Sequence, residues 1–396
     1  SEEEQVMEEQ VIGTILNVQN NLVNAMENIQ TNLANTMSNV EENLLVTINN
    51  NNKTLNFDII SLFPPNSFEE IALKNISDKV HRNTFGTLNL NIVTSSDAPG
   101  SIGKLLDDSS NVLGLALFVG FNKFIDSLVT EPADLLAGLM AGGGNDFRYD
   151  DSLFLLWILH NLDEYKNLFK NAGSTRNLTT IPFFNVPEAL GAFIEKWESL
   201  VELQELTAKK PFRATGDAKV QTAYANLDIK TYTGSDGGTP QGISKLLADG
   251  TLSGGEWANI ITDNSFGFFE SAKFYYPNGI QQMQNICNVV FNENRLNQLS
   301  DVQRQILEDA MLSELVNLKG YIDPLSSLMN EVVATKGVEM LELPSDFVSG
   351  MLKEADIHYK DVENNGTTQT KDILASLKEF SDKNRTNIKL MTPQTI

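Results

Sequence analysis

The chain is poor in the residues that most often carry out chemistry. Its 396 residues include one cysteine, Cys287, and three histidines, His81, His160 and His358. A lone cysteine excludes an intrachain disulfide framework and a cysteine-based zinc site. There is no Gly-x-Ser-x-Gly elbow, and the histidines stand far apart in different helical settings. No nucleophile and base converge, so the chain reads as a non-enzyme. The glycine runs at 142–144 and 234–242 lack both the Lys-Ser/Thr of a phosphate loop and the spacing of a dinucleotide fingerprint. Basic charge is scarce: 29 Lys and Arg against 52 Asp and Glu leave a net charge of −23. That balance excludes nucleic acid, whose phosphates are held by clustered Lys and Arg, and it repels anionic lipid. The longest apolar runs, residues 112–121 and 153–159, are too short to span a bilayer. The chain opens on Ser1-Glu2-Glu3-Glu4 with no Met and no basic-then-apolar leader, the expected start of a processed mature form.

What is present begins with a repeat. Val11, Ile15, Val18, Leu22, Met26, Ile29, Leu33, Met37, Val40, Leu44 and Ile48 are spaced 4-3-4 throughout, an 11-residue period. Asn17, Asn28 and Asn39, and again Asn21, Asn32 and Asn43, recur in step. Such a repeat has about 3.67 residues per turn and suits a straight or slightly right-handed coiled coil. At about 1.5 Å per residue, the segment would form a rod of about 57 Å. One reading is an amphipathic helix lying on its own globular domain. Self-association is favoured, because the apolar stripe is narrow, the other faces are polar, and an Asn-rich helix is poorly suited to standing alone in water. Residues 1–52 are therefore expected to form a coiled-coil oligomerisation segment, with Asn49 to Lys53 as the linker.

From Thr54 the pattern changes to α/β alternation. Residues 55–62 read as a strand ending in Phe63-Pro64-Pro65-Asn66, and Ser67 caps a helix to about Val80 with Glu70 at the capping-box position. Leu88, Leu90 and Ile92 alternate as a second strand, a short helix follows near 102–106, and 112–119 reads as a strand buried on both faces. The order implies a parallel sheet flanked by helices. Further along, helices are expected over 187–203, 220–224, 240–248, 301–319, 327–335, 345–355 and 371–384, and strands over 181–184 and 289–291.

The segment from Lys210 to Gly279 holds the residues of greatest chemical interest. Arg213 follows Lys209-Lys210-Pro211-Phe212 and precedes Gly216; an arginine at a strand end can grip a carboxylate through two parallel charge-assisted hydrogen bonds. The alternative is a surface salt bridge. Glu256 and Trp257 follow two glycines, where backbone can approach closely, so the indole can pack a ligand's carbon skeleton while Glu256 meets a hydroxyl or a cation. An ordinary strand with one inward Trp is the competing reading.

Taken together, Phe212-Arg213-Ala214-Thr215-Gly216, then Leu246-Leu247-Ala248-Asp249-Gly250-Thr251-Leu252, then Glu256-Trp257 and Phe274-Tyr275-Tyr276-Pro277, resemble the solute-binding proteins of tripartite ATP-independent periplasmic (TRAP) transporters. Phe63-Pro64-Pro65 with Thr84-Phe85-Gly86-Thr87-Leu88 is similar to the family's opening β-α-β unit, and Leu299-Ser300-Asp301-Val302-Gln303 to a later helix, so the likeness covers roughly residues 54–390. The sequence departs from the family pattern at Asn259-Ile260, at Gln281-Gln282 and in the loop 250–254. The N-terminal repeat is an addition.

The resemblance implies a two-lobed periplasmic-binding-protein-like α/β fold over 53–396, with interleaved lobes, crossovers near 180–215 and 285–320, and a long crossing helix. It implies an extracytoplasmic receptor, at the cell surface or in the periplasm, that closes by a hinge motion on a small 2-oxo or 2-hydroxy acid for membrane transporter subunits. Arg213, Glu256, Trp257, Asn66 and Tyr276 become the candidate ligand-binding residues. No metal site is read from the residues themselves, although by resemblance a sodium or calcium ion can share the site through Glu256. The rival expectation is a structural or assembly protein, a surface-layer, stalk or filament subunit that reuses this fold and forms a homo-oligomer through its N-terminal helix.

Overall fold

A computed structural model of the chain describes residues 2–49, 54–119, 130–145, 147–170 and 178–391. It resolves into two units, Ser1–Leu55 and Asn56–Ile396.

The first unit is built on one helix, α1 (Glu2–Asn49). Leu22, Met26, Ile29, Leu33, Met37 and Val40 on it are 52–65% exposed, so the repeat forms an uncovered apolar stripe. Val11, Ile15, Val18, Leu44 and Ile48 also lie in α1, but their side chains are outside the described residues, as is the linker stretch 50–53.

The second unit opens with β1 (Leu55–Ser61), α2 (Phe68–Asn83), β2 (Leu88–Thr94), α3 (Ala98–Leu106) and β3 (Val112–Phe118). The Ser67 hydroxyl accepts from the Glu70 N–H and starts α2. The expected return bond goes elsewhere: the Glu70 carboxylate accepts from the Asn66 N–H at 2.7 Å and from Thr94 at 2.5 Å. That pairing ties the loop after β1 to the end of β2. Asp97 caps α3, which begins four residues earlier than its apolar spacing suggests. Short helices α4 (Glu131–Leu136), α5 (Asp151–His160) and α6 (Leu162–Lys166) follow, with Met140–Gly143 as a tight turn.

Next come β4 (Leu178–Pro187), β5 (Gly191–Phe193), α7 (Leu200–Lys209), β6 (Phe212–Arg213), α8 (Ala218–Asn226), α9 (Pro240–Ala248), β7 (Gly254–Gly255), α10 (Ile260–Ser265), β8 (Phe274–Tyr276) and β9 (Gln284–Asn292). The chain ends with α11 (Glu293–Leu296), α12 (Asp301–Ala334), β10 (Glu339–Met340), α13 (Ser345–Asn365) and α14 (Thr368–Met391).

Two five-stranded sheets result, ordered β2-β1-β3-β9-β4 and β10-β8-β5-β7-β6. The first is mixed rather than parallel: β1 and β3 run together, whereas β9 runs against both β3 and β4 because it returns from the second sheet. The helix expected over 187–203 is absent. Pro187 ends β4, β5 follows after three residues, and helix resumes only at Leu200. The reason is long-range pairing, with Ala192 held between Gly255 and Tyr275. Two expected helices, 301–319 and 327–335, are one: α12 runs through Pro324. The core is continuous and aromatic-rich, with Trp157, Trp197, Tyr224, Phe193, Phe212 and Tyr276 fully enclosed. Among the described residues, no helix is long and apolar enough to cross a membrane.

Candidate ligand-binding site

A cavity of about 880 Å³ lies beside the ends of the first-sheet strands. One wall is Leu62, Ser95, Ser96 and Phe118, which follow or close β1, β2 and β3. This is the carboxyl edge of the strands, where the crevice of an open α/β sheet receives its ligand. The facing wall comes from the second sheet: Arg213 to Asp217 after β6, Tyr232 to Gly238, and Glu256 to Ala258 after β7. Glu188, Gln282 and Asn285, beside the crossings between sheets, line the floor.

Arg213 and Glu256 are neighbours because β6 and β7 pair in parallel, Arg213 beside Gly255. Only glycine fits the β7 positions. A Cβ on Gly254 would lie 2.4 Å from the Phe193 ring, and one on Gly255 2.7 Å from Ile243. The neighbouring strand has the same need at Gly191, whose φ is +124° and whose Cβ would meet the Gly255 carbonyl at 2.5 Å.

The Arg213 guanidinium is held from three sides. Its Nε donates to the Gly237 carbonyl at 3.0 Å, its Nη1 to the Glu256 main chain at 2.7 Å and carboxylate at 2.8 Å, and its Cζ stands 5.3 Å from the Trp257 ring centre. No hydrogen bond engages Nη2 among the described residues, so that end of the fork is available to an anion in the cavity.

Acidic groups crowd this single cation. Glu188, Glu256 and Asp263 are all buried. Burial, reinforced by the charges of Glu256 and Asp263, drives the Glu188 carboxyl well above the usual carboxylate range. Burial and Glu256 likewise push Asp263 up to about 8. Asp263 accepts from the Trp257 N–H at 3.2 Å and from the Tyr275 hydroxyl at 3.2 Å, fixing the turn that presents Trp257. Asn285 contributes a buried Oδ1 with no hydrogen-bond partner.

The structure therefore brings Arg213, Glu256 and Trp257 together at one cavity. Asn66 and Tyr276 do not line it. Asn66 is an exposed turn residue at φ 62°, and Tyr276 is enclosed, its hydroxyl donating to the Trp197 carbonyl at 2.7 Å and its ring stacked on Trp197. Glu188, Asn285, Ser95 and Ser96 are cavity residues with no local motif to mark them. Of the histidines, His160 packs on Phe380 and His81 contacts Asn89, both away from the cavity. Among the described residues, no three His, Cys, Asp or Glu side chains group to hold a metal.

No protein-family model matches the sequence, and no curated protein matches it. Solved structures do. A TRAP periplasmic solute-binding protein of Colwellia psychrerythraea, with bound calcium and pyruvate, superposes at a TM-score of 0.71 and 17% identity, covering 86% of this chain and 98% of its own. One from Bordetella bronchiseptica RB50, with calcium and picolinate, gives 0.70 at 14% identity, covering 86% and 95%. One from Pseudoalteromonas atlantica T6c, with sodium and pyruvate, gives 0.67 at 16%, covering 86% and 97%. The chain thus shares the two-lobed fold of TRAP solute-binding proteins at low sequence identity.

Proposed function

We propose that this chain is an extracytoplasmic solute-binding protein that captures a small 2-oxo or 2-hydroxy carboxylate and delivers it to the membrane subunits of a TRAP-type transporter. The observation that carries this reading is Arg213. It lines a cavity between two sheets, is fixed by Gly237 and Glu256, and keeps Nη2 for a ligand carboxylate. Trp257 packs against the ligand's carbon skeleton, and Ser95 and Ser96 line the other wall. The shared fold, found in proteins that hold pyruvate, supports the same class of ligand. Closure of the lobes by hinge motion excludes water from the ion pair. Titration calorimetry with pyruvate, lactate and picolinate tests the reading. Arg213→Ala should cost about 3–5 kcal/mol of binding, because it leaves a buried carboxylate unpaired; unchanged affinity would overturn it.

A sodium or calcium ion fits the same cavity. Glu188, Glu256 and the unpartnered Asn285 Oδ1 supply hard oxygens, and the ligand's own oxygens complete such a set. The ion would offset the acidic excess around Arg213 and orient the carboxylate.

The uncovered stripe of α1 favours a second reading, a structural subunit of a surface layer, stalk or filament that reuses the fold. Fibre formation by the full chain, with no acid found in a thermal-shift screen, would replace the receptor reading with this one.

A further inference from the structure

We infer that α1 is an interaction surface whose partner is α1 of another copy of this chain. The inference goes beyond the receptor reading and does not depend on it.

The helix demands a partner. It is 48 residues long, and none of the six apolar side chains described on its stripe is covered. Ten of its residues are Asn, a poor helix former, so intrinsic propensity does not hold it together in water. Burial of the stripe is the remaining source of stability.

The repeat selects the partner. At about 98° per residue, the 11-residue period keeps Leu22, Met26, Ile29, Leu33, Met37 and Val40 within a narrow sector along the whole rod. Small residues, Ala25 and Thr36, flank it on one side, followed by an edge of Asn21, Asn32 and Asn43; Gln19, Gln30 and Val23 flank the other. A helix of seven-residue period follows a left-handed seam and drifts off this stripe within a few turns, whereas a helix of the same period stays with it. The helix shown to have that period is α1 itself. Amide edges then meet amide edges.

Charge argues against an anionic surface as the partner. α1 contains no Lys or Arg, so neither an anionic membrane nor a nucleic acid is attracted to it. Between Gln10 and Val40 its sole charge is Glu27, so like copies approach without appreciable repulsion along the central three-fifths of the rod.

The test uses the full chain. Size-exclusion chromatography with light scattering over a wide concentration range should give a mass above that of one chain. Ile29→Glu with Leu33→Glu should raise the concentration at half-association by about a hundredfold or more, since two buried apolar side chains are lost. Helical signal should fall with it, while the main thermal transition of the second unit stays in place. Met26 lies at the middle of α1, so Met26→Cys should cross-link to its counterpart on mild oxidation whether copies run parallel or antiparallel. Asn24→Cys, on the opposite face, should not. The native Cys287 is buried and does not interfere. A single-chain mass at every concentration overturns the inference, as does association that survives the double substitution or equal cross-linking at both cysteine positions. Acid binding measured on the same variants stays independent, so failure here and failure of the receptor reading are told apart.

Discussion

Nη1 of Arg213 donates to Glu256 twice, to its carbonyl at 2.7 Å and to its carboxylate at 2.8 Å. One residue therefore fixes both the position and the orientation of the guanidinium plane. With Nε committed to Gly237, the fork has one face left for a ligand.

Arg213→Lys is accordingly expected to weaken acid binding even though charge is kept. An ammonium cannot reach Gly237, Glu256 and a ligand from one plane. The expected loss is about tenfold to a hundredfold, or about 1.4–2.8 kcal/mol, read by calorimetry.

Gly191→Ala should destabilise the second sheet. The residue sits at φ +124°, and the added methyl would stand 2.5 Å from the Gly255 carbonyl and 2.8 Å from the Glu256 Cβ. Strain alone costs about 1–3 kcal/mol, measurable by denaturant unfolding. Because the same shift displaces Glu256, acid affinity should fall as well.

Removal of divalent and sodium ions should lower acid affinity, and calcium or sodium should restore it. Glu188→Gln should abolish the restoration while leaving the fold intact, since a neutral amide replaces a carboxyl already crowded by Glu256 and Asp263. Affinity measured in a potassium buffer with chelator, then with each ion added, gives the answer.

Burial, with the charge of Lys219 beside it, holds the His358 imidazole down at about 4. In the unfolded chain it titrates near about 6.5. Between those values the unfolded state binds a proton that the folded state refuses, so stability is full above about pH 6.5 and is lost as pH falls toward 4. His358→Gln should flatten that part of the stability–pH curve, as followed by chemical denaturation at stepped pH.

Where local pattern decides structure, the chain was readable. The strands β1, β2 and β3 follow apolar alternation or continuous apolar runs, and α9 begins at Pro240 and ends at Ala248 as its composition dictates. Where pairing decides, it was not. Glu188-Ala189-Leu190 are good helix formers, yet they bridge two strands because Pro187 pairs with Gln284 and Gly191 with Tyr276. The site divides in the same way. Arg213, Glu256 and Trp257 stand out because glycines and aromatics surround them in sequence. Glu188 and Asn285 reach the cavity through the β4–β9 ladder, where Val186 pairs with Asn285, and a contact at such separation leaves no local trace. Tyr276 shows the converse: its aromatic run marks core, not pocket.

Helix α12 has a mechanical consequence. Near its start, Gln303 bonds Thr87, Glu308 bonds Lys166 and Glu314 bonds Lys79, all partners around the first sheet. Just past its end, Lys336 bonds Lys273 and Asn264 beside the second sheet. It is thus a beam clamped at both ends to bodies that belong to different sheets. Between the clamps lies Pro324, which cannot donate to the Gly320 carbonyl four residues back, so one rung of the helix is missing there. Flexural stiffness is lowest at that rung. A rotation of one sheet against the other would load the beam, and the turn from Gly320 to Pro324, one hydrogen bond short, is where bending would break the fewest bonds.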